Sequence, residues 1–381
     1  VLSKKAGGRP VKFQASREEE FSLLPCRCAL NYRIKTGVSE EGKILAQKME
    51  MFWDSGAYAD YAVNVTRASG YSASGPYEIP NATVDAYTIY TNKPYGTAYR
   101  GFGHVEFHWA IERHMELVAT AIGLDPLLFR LKNALRPGSK TLTGETILPS
   151  TGNVVKCIEE AARRIHYGEL TKEEKEREAR TGWKIGKGVG ALQKAPAMPS
   201  FTATAVVLKM NENGTVIANL ALTDYGQGTY TSLRQIIAER LGFPLEKVKI
   251  AFESDTDRDP YDWQTVASKG LFLSGNAAIL AAEDLLEKAY AVAAEILRAN
   301  PRDLAHDGDR IYLKHKPEEG VSFASIAIGY AFPNGNGIGG PLIGVGRYIA
   351  QGLSNLDKES GQGHPAVDWT YGAHGMVVEV N

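Results

Sequence analysis

TAYRGFGHVEFH occupies residues 97–108. Two glycines bracket an aromatic residue directly after an arginine, and a helix with one apolar face follows. Such a turn is either chain punctuation or a surface that holds something flat and negatively charged. Glycine lets the backbone approach a ligand, and a helix start donates unpaired amides to anions. Two further glycine-rich turns also precede helices: TDYGQGT at 223–229, and QTVASKG with SGNAA across 264–278. Each alone reads as a structural turn. Their joint occurrence points to a phosphate or a polar heterocycle.

Around these turns both halves of the chain carry strand and helix patterns. Strands are expected near 29–35, 43–53 and 83–92, then a helix after GFG and a short one in DPLLFRLKNAL. FTATAVVLKM, NENG and TVIANLAL read as a hairpin. The helix YTSLRQIIAERLG, the strand KVKIAFES and a long helix over 275–300 follow. The tail AFPNGNGIGGPLIGVGRYIAQG is expected to be mostly loop with a late strand. Capping boxes mark helix starts at Ser16 with Glu19 and at Thr171 with Glu174. Helices and strands fall in segregated runs, which predicts an α+β, or mixed α/β, fold. The charged stretch LTKEEKEREARTGWKIGKG, 170–188, is taken as the boundary between two domains, 1–175 and 183–381.

Composition narrows the function classes. With 381 residues, 44% hydrophobic and 23% charged, the chain has material for two domains. Its 43 basic and 44 acidic residues nearly cancel, so no long-range field draws in a polyanion, and nucleic acid is not expected as a partner. No run approaches the roughly 20 apolar residues that cross a bilayer, and the start lacks a signal-peptide core. A cytoplasmic protein without a membrane partner is expected. Three cysteines, Cys26, Cys28 and Cys157, are too few for a four-cysteine iron-sulfur site.

HVEFH offers an alternative, with His104 and His108 one helical turn apart and Glu112 or His114 as further zinc ligands. The central glutamate departs from the HExxH metalloprotease pattern. An amphipathic helix with ordinary histidines is the simpler reading. Cys26 and Cys28 in PCRC would share a strand face, but lack the two-residue spacing of redox pairs and zinc sites.

TAYRGFG, the following AIERHMELVATAIGLDPLLFRLKN, and ALTDYGQGTYTSLRQIIAERLG together resemble the molybdenum-binding subunit of the xanthine dehydrogenase and aldehyde oxidase family. The resemblance extends through GRPVKFQASREEEF, TVASKGLFLSGNAA and ESGQGHPAVDWTYGAHGMVVEV, in the family's order over almost the whole chain. It implies two molybdopterin-binding domains of a molybdenum hydroxylase, which oxidises a C–H of an N-heterocycle or aldehyde with water as the oxygen source. The cofactor implied is molybdopterin with molybdenum, in the cytosine dinucleotide form, the metal being held by the pterin dithiolene and not by protein side chains. Two electrons would leave to [2Fe-2S] clusters and FAD on an iron-sulfur subunit and an FAD subunit.

Residue by residue, Arg100 and Phe102 match the family's RGF turn, where the arginine amide lies by the metal and the ring stacks an aromatic substrate. Arg27 matches an arginine that steadies negative charge growing on a purine substrate. Gly226, Gln227 and Gly228 match a GQG turn that hydrogen-bonds the pterin. Ala267 and Ser268 match a loop that holds its phosphate side. Gly101 stands where the carbon monoxide dehydrogenase branch carries a copper-binding cysteine, which disfavours that chemistry. Lys269 stands where many members have arginine.

Three family features have no counterpart: the GGGFGGK-type loop expected before the RPVK segment, and a later GQ-containing turn and the catalytic glutamate expected after the VEV strand. General-base help is worth roughly 10²- to 10⁴-fold, so the isolated chain is expected to be inactive. It reads as a fragment, or as one part of a split subunit completed by a second polypeptide. Arg27 and Phe102 tilt the substrate towards an aromatic N-heterocycle. The competing functions are a zinc-binding hydrolase using His104 and His108, and a non-catalytic scaffolding relative.

Overall fold

The computed structural model describes residues 1–195, 202–252, 254–367 and 369–381. Its contacts divide the chain into two compact units, with the division falling after Ala195. The first unit also includes Leu356–His364 and the C-terminal strand Thr370–Val380. The 170–188 stretch therefore lies inside the first unit. Its helix, Lys172–Thr181, has the expected Thr171–Glu174 capping box and ends on Gly182 in the left-handed conformation.

In the first unit, Ala29–Val38 runs antiparallel to Ile44–Gly56, which pairs in parallel with Ala82–Tyr90. A parallel pair needs a crossover, and the helix Ala62–Tyr71 lies within it. Met49, Met51 and Trp53 alternate inward from the central strand and are fully buried. Helix His104–Ala121 closes this core with Phe107, Ile111, Met115 and Ala119, spaced every four residues along one face. Burying Phe107 and Ile111 contributes roughly 1.5–3 kcal/mol each, enough to hold the helix and hence the turn at its start. A second core lies under an eleven-pair antiparallel ribbon, Lys184–Lys194 with Thr370–Val380, covered by helix Val154–Arg164.

The second unit has a four-stranded sheet, ordered Ile343–Ile349, Ala203–Met210, Val216–Asn219 and Val248–Ile250. The expected hairpin is present, as is the late strand in the glycine-rich tail. Helices Thr229–Leu241 and Lys269–Leu297 pack together and contribute to this unit's core. A Cβ at Gly344 or Gly346 would lie 2.1 or 1.9 Å from the Ala281 or Ala277 carbonyl oxygen. These glycines let a strand press onto an alanine-lined helix. The long helix begins at Lys269, six residues before the expected start at 275. Gly270 is buried against Leu222, so here the glycine serves close packing instead of ending a helix.

Candidate functional site

The RGF turn is built by a short parallel pairing of Cys26–Arg27 with Gly96–Thr97, which sets Arg27 opposite Thr97. The Arg27 guanidinium donates to the Arg100 carbonyl at 2.8 Å and to Glu106 Oε1 at 3.1 Å. It also lies over the Tyr99 ring, 4.4 Å from its centroid. Arg27 and the turn are thus one cluster. Gly101, Phe102 and Gly103 all have positive φ, at 106°, 52° and 84°. A left-handed conformation is unfavourable for phenylalanine, and here its ring packs edge-to-face with Tyr61 at 6.4 Å. The Phe102 amide donates to the Tyr99 carbonyl at 2.7 Å, and Arg100 remains exposed. Asp60 has positive φ as well and accepts from Thr97 beside the turn.

The two histidines after the turn do not form a metal site. His104 Nδ1 lies 3.1 Å from the Gly101 carbonyl and Nε2 lies 3.2 Å from Ser72 Oγ. His108 Nδ1 is 2.7 Å from the His104 carbonyl, and its Nε2 accepts from the Gln193 amide. Burial pushes both imidazoles down, His104 to about 3 with the neighbouring His108 adding to the shift, and His108 to about 4. Their four nitrogens already have partners, Glu106 pairs with Arg27, and Glu112 is held by Tyr77 and Arg130. His114 Nε2 pairs with Thr36 at 2.7 Å. No cluster of three metal-ligating side chains occurs among the described residues. The cysteines also depart from expectation: Cys26 is exposed, Cys28 is buried, and the two-residue strand ends between them. Burial lifts the Cys28 thiol to about 11, which keeps it protonated and unreactive.

In the second unit the turns at 223–229 and 264–270 meet. The Thr265 hydroxyl donates to the Thr223 carbonyl at 3.1 Å and accepts from the Thr223 amide at 3.0 Å. Gln227, Thr229, Ser232, Thr265, Ala267 and Ser268 line one cavity of about 420 Å³. Three of the expected cofactor residues, forty positions apart in sequence, thus share a wall. Gly226 and Gly228 have positive φ, at 113° and 81°, so the turn depends on glycine at both. Ala267 is also left-handed, at 47°. Ser268 is the N-cap of a 29-residue helix, yet its side chain makes no capping bond. The first-turn amides of that helix therefore have no side-chain cap, which suits an anion.

Sequence reasoning missed what holds these loops. Lys269 is fully buried and pairs with Asp262 at 3.0 Å while donating to the Gln264 carbonyl at 2.6 Å. Asp224 accepts amide hydrogens from Gly226, Gly228 and Tyr230, and these bonds hold its carboxyl below the usual range. The amides of Gly226 and Gly228 therefore already have an internal anion. An aspartate two residues before a glycine is an Asx-turn signal that was legible in TDYG.

The donor set fits a polar heterocycle carrying a phosphate: the cavity is lined by a side-chain amide, Gln227, and by a helix start with a hydroxyl, Ser268, that has no side-chain cap. Comparison with known proteins agrees. Models of the molybdopterin cofactor-binding domain match residues 1–134 and 160–381, and the chain belongs to this family, that of the xanthine dehydrogenase and aldehyde oxidase molybdenum subunits. The xanthine dehydrogenase molybdenum-binding subunit of Escherichia coli O157:H7 is 31% identical over 323 residues, 84% of this chain and 42% of that protein. The nicotinate dehydrogenase large molybdopterin subunit of Eubacterium barkeri is 38% identical over 153 residues, 40% of this chain and 36% of that one. The structure of carbon monoxide dehydrogenase from Oligotropha carboxidovorans superposes with a TM-score of 0.77 at 26% identity, covering 100% of this chain and 48% of that one. The chain thus spans less than half the length of these relatives. No helix among the described residues is long and apolar enough to cross a membrane.

Proposed function

We propose that this chain forms molybdopterin-holding walls of a molybdenum hydroxylase of xanthine dehydrogenase type, acting on an aromatic N-heterocycle. The observation that carries this reading is the shared cavity of Gln227, Ala267 and Ser268, lined by the residues the family resemblance assigns to the cofactor. When bound, the cofactor supplies oxidation of a substrate C–H with water as oxygen source and takes up two electrons. Gln227 orients the pterin through its side-chain amide, with Gly226 and Gly228 setting the turn. Ser268 and the helix start behind it accept the phosphate side, with Ala267 shaping the approach. The family resemblance assigns the exposed Arg100 turn to the cofactor and the Phe102 ring to stacking of the substrate. Arg27 is already neutralised by Glu106, so in this reading it positions the turn and steadies substrate charge only through it.

The heterocycle preference is supported by the Phe102 ring and by relatives named for xanthine and nicotinate. Gly101 supplies no thiolate for copper. Along the sequence the domains proposed are 1–175 and 183–381, whereas the compact units divide after Ala195, and the cofactor form proposed is the cytosine dinucleotide. The partners are an iron-sulfur subunit, an FAD subunit and a polypeptide completing the site, in the cytoplasm. The test is pterin content of the natively purified complex, read as fluorescence of released, oxidised pterin. Gln227→Ala and Ser268→Ala are each expected to lower it. Unchanged pterin in both variants would contradict the assignment.

A further inference from the structure

Two helix starts line the 420 Å³ cavity, and they differ. Helix Lys269–Leu297 begins at Ser268 without a side-chain cap. Helix Thr229–Leu241 begins at Gly228, which has no side chain, yet this start is not vacant. Asp224, four residues ahead, places one carboxylate oxygen 2.9 Å from the Gly226 amide and 3.4 Å from the Gly228 amide. Its other oxygen lies 3.0 Å from the Tyr230 amide. A concave set of backbone amides at a helix start is the geometry that binds small anions.

The same turn fixes Gln227. Its Oε1 accepts from the Tyr225 amide at 2.8 Å, and its Nε2 donates to the Thr223 carbonyl at 3.2 Å. These two partners flank Asp224 on either side. The position of the Gln227 amide therefore depends on the path of the backbone around the Asp224 carboxylate.

We infer that Asp224 is a positioning residue: its carboxylate takes the place of a bound anion in the GQG turn and thereby fixes Gln227. Asp224 places a negative charge in the backbone turn that carries Gln227, whereas the helix start at Ser268 has no side-chain cap. In a molybdopterin complex the Asp224 charge therefore disfavours a phosphate beside Gln227. This consequence rests on the molybdopterin reading; the internal-anion role does not.

The experiment is amide hydrogen exchange on the full chain at Gly226, Gly228 and Tyr230, for the native protein and Asp224→Ala, with and without added formate. Loss of bonds to a charged acceptor is expected to speed exchange at these amides roughly 10- to 100-fold in the variant. Formate, the carboxylate without its tether, is expected to restore slow exchange in the variant and to leave the native protein unchanged. Asp224→Asn retains one acceptor oxygen and should give a smaller acceleration, which keeps the test available if the alanine variant does not fold. Unchanged exchange in the variants, or equal slowing by formate in native and variant protein, would overturn the inference. The readout needs no cofactor, so its failure is distinct from failure of the molybdopterin reading.

Discussion

Arg27 donates to the carbonyl oxygen of Arg100 at 2.8 Å, across 73 positions of sequence, while its other terminal nitrogen pairs with Glu106. A single side chain thereby ties a strand end, a left-handed turn and the first turn of a helix. Removing it leaves the Glu106 carboxylate with no cation, and Glu106 Oε2 is already buried without a partner. Arg27→Met is expected to cost about 1.5–3 kcal/mol of the first unit's stability. Because Arg27 and Glu106 touch, a double-mutant cycle with Glu106→Gln in urea melts should return a coupling of about 0.5 kcal/mol or more. Strict additivity would separate Arg27 from the turn.

His104 and His108 carry a pH dependence. Their folded-state values, about 3 and about 4, lie below the ordinary 6.5, so the unfolded chain binds the proton more readily. Their contribution is complete above pH 6.5 and declines as pH falls from there towards 4 and 3. At pH 5 the loss is on the order of 2 kcal/mol per histidine. Denaturant melts at pH 7 and pH 5 measure it, and replacing His108 with glutamine should flatten the difference. A flat profile in the native protein would contradict the buried, neutral pair.

Gly226 and Gly228 have positive φ and open space where a Cβ would sit. Their requirement is conformational, and alanine at either should cost about 1–2 kcal/mol. Asparagine, which tolerates the left-handed region, should cost less. Equal losses for alanine and asparagine in thermal unfolding would mean that something other than backbone conformation fixes the turn.

Lys269 and Asp262 are both almost fully buried. Lys269→Met removes one partner and leaves a buried carboxylate, at an expected cost of about 3–5 kcal/mol. Pairing it with Asp262→Leu should recover most of that, since replacing both members by apolar groups is far milder. A single variant within about 1 kcal/mol of native stability, by the same urea melts, would show that water reaches the pair.

Most of the fold is legible in the helix and strand patterning of the chain. The amphipathic helix after GFG, the hairpin around NENG and both capping boxes follow from short-range rules. The early start of the long helix does not, because Gly270 reads as part of the expected turn before 275 until Leu222 is seen against it. The return of Thr370–Val380 to the first unit is equally hidden, since pairing with Lys184–Lys194 spans nearly two hundred residues. At the candidate site, glycine spacing and family resemblance point to Gln227 and Ser268. Asp224 and Lys269 act through bonds to backbone and buried partners, and a sequence shows the residue without showing the bond.

Metal analysis by mass spectrometry on the protein purified natively with its copurifying chains, alongside fluorescence of released pterin, addresses the molybdopterin reading most directly. Molybdenum and pterin near one per complex, with iron on the accompanying chains, is the expected result. Zinc without pterin, or no molybdenum despite a complete set of partner chains, would contradict it.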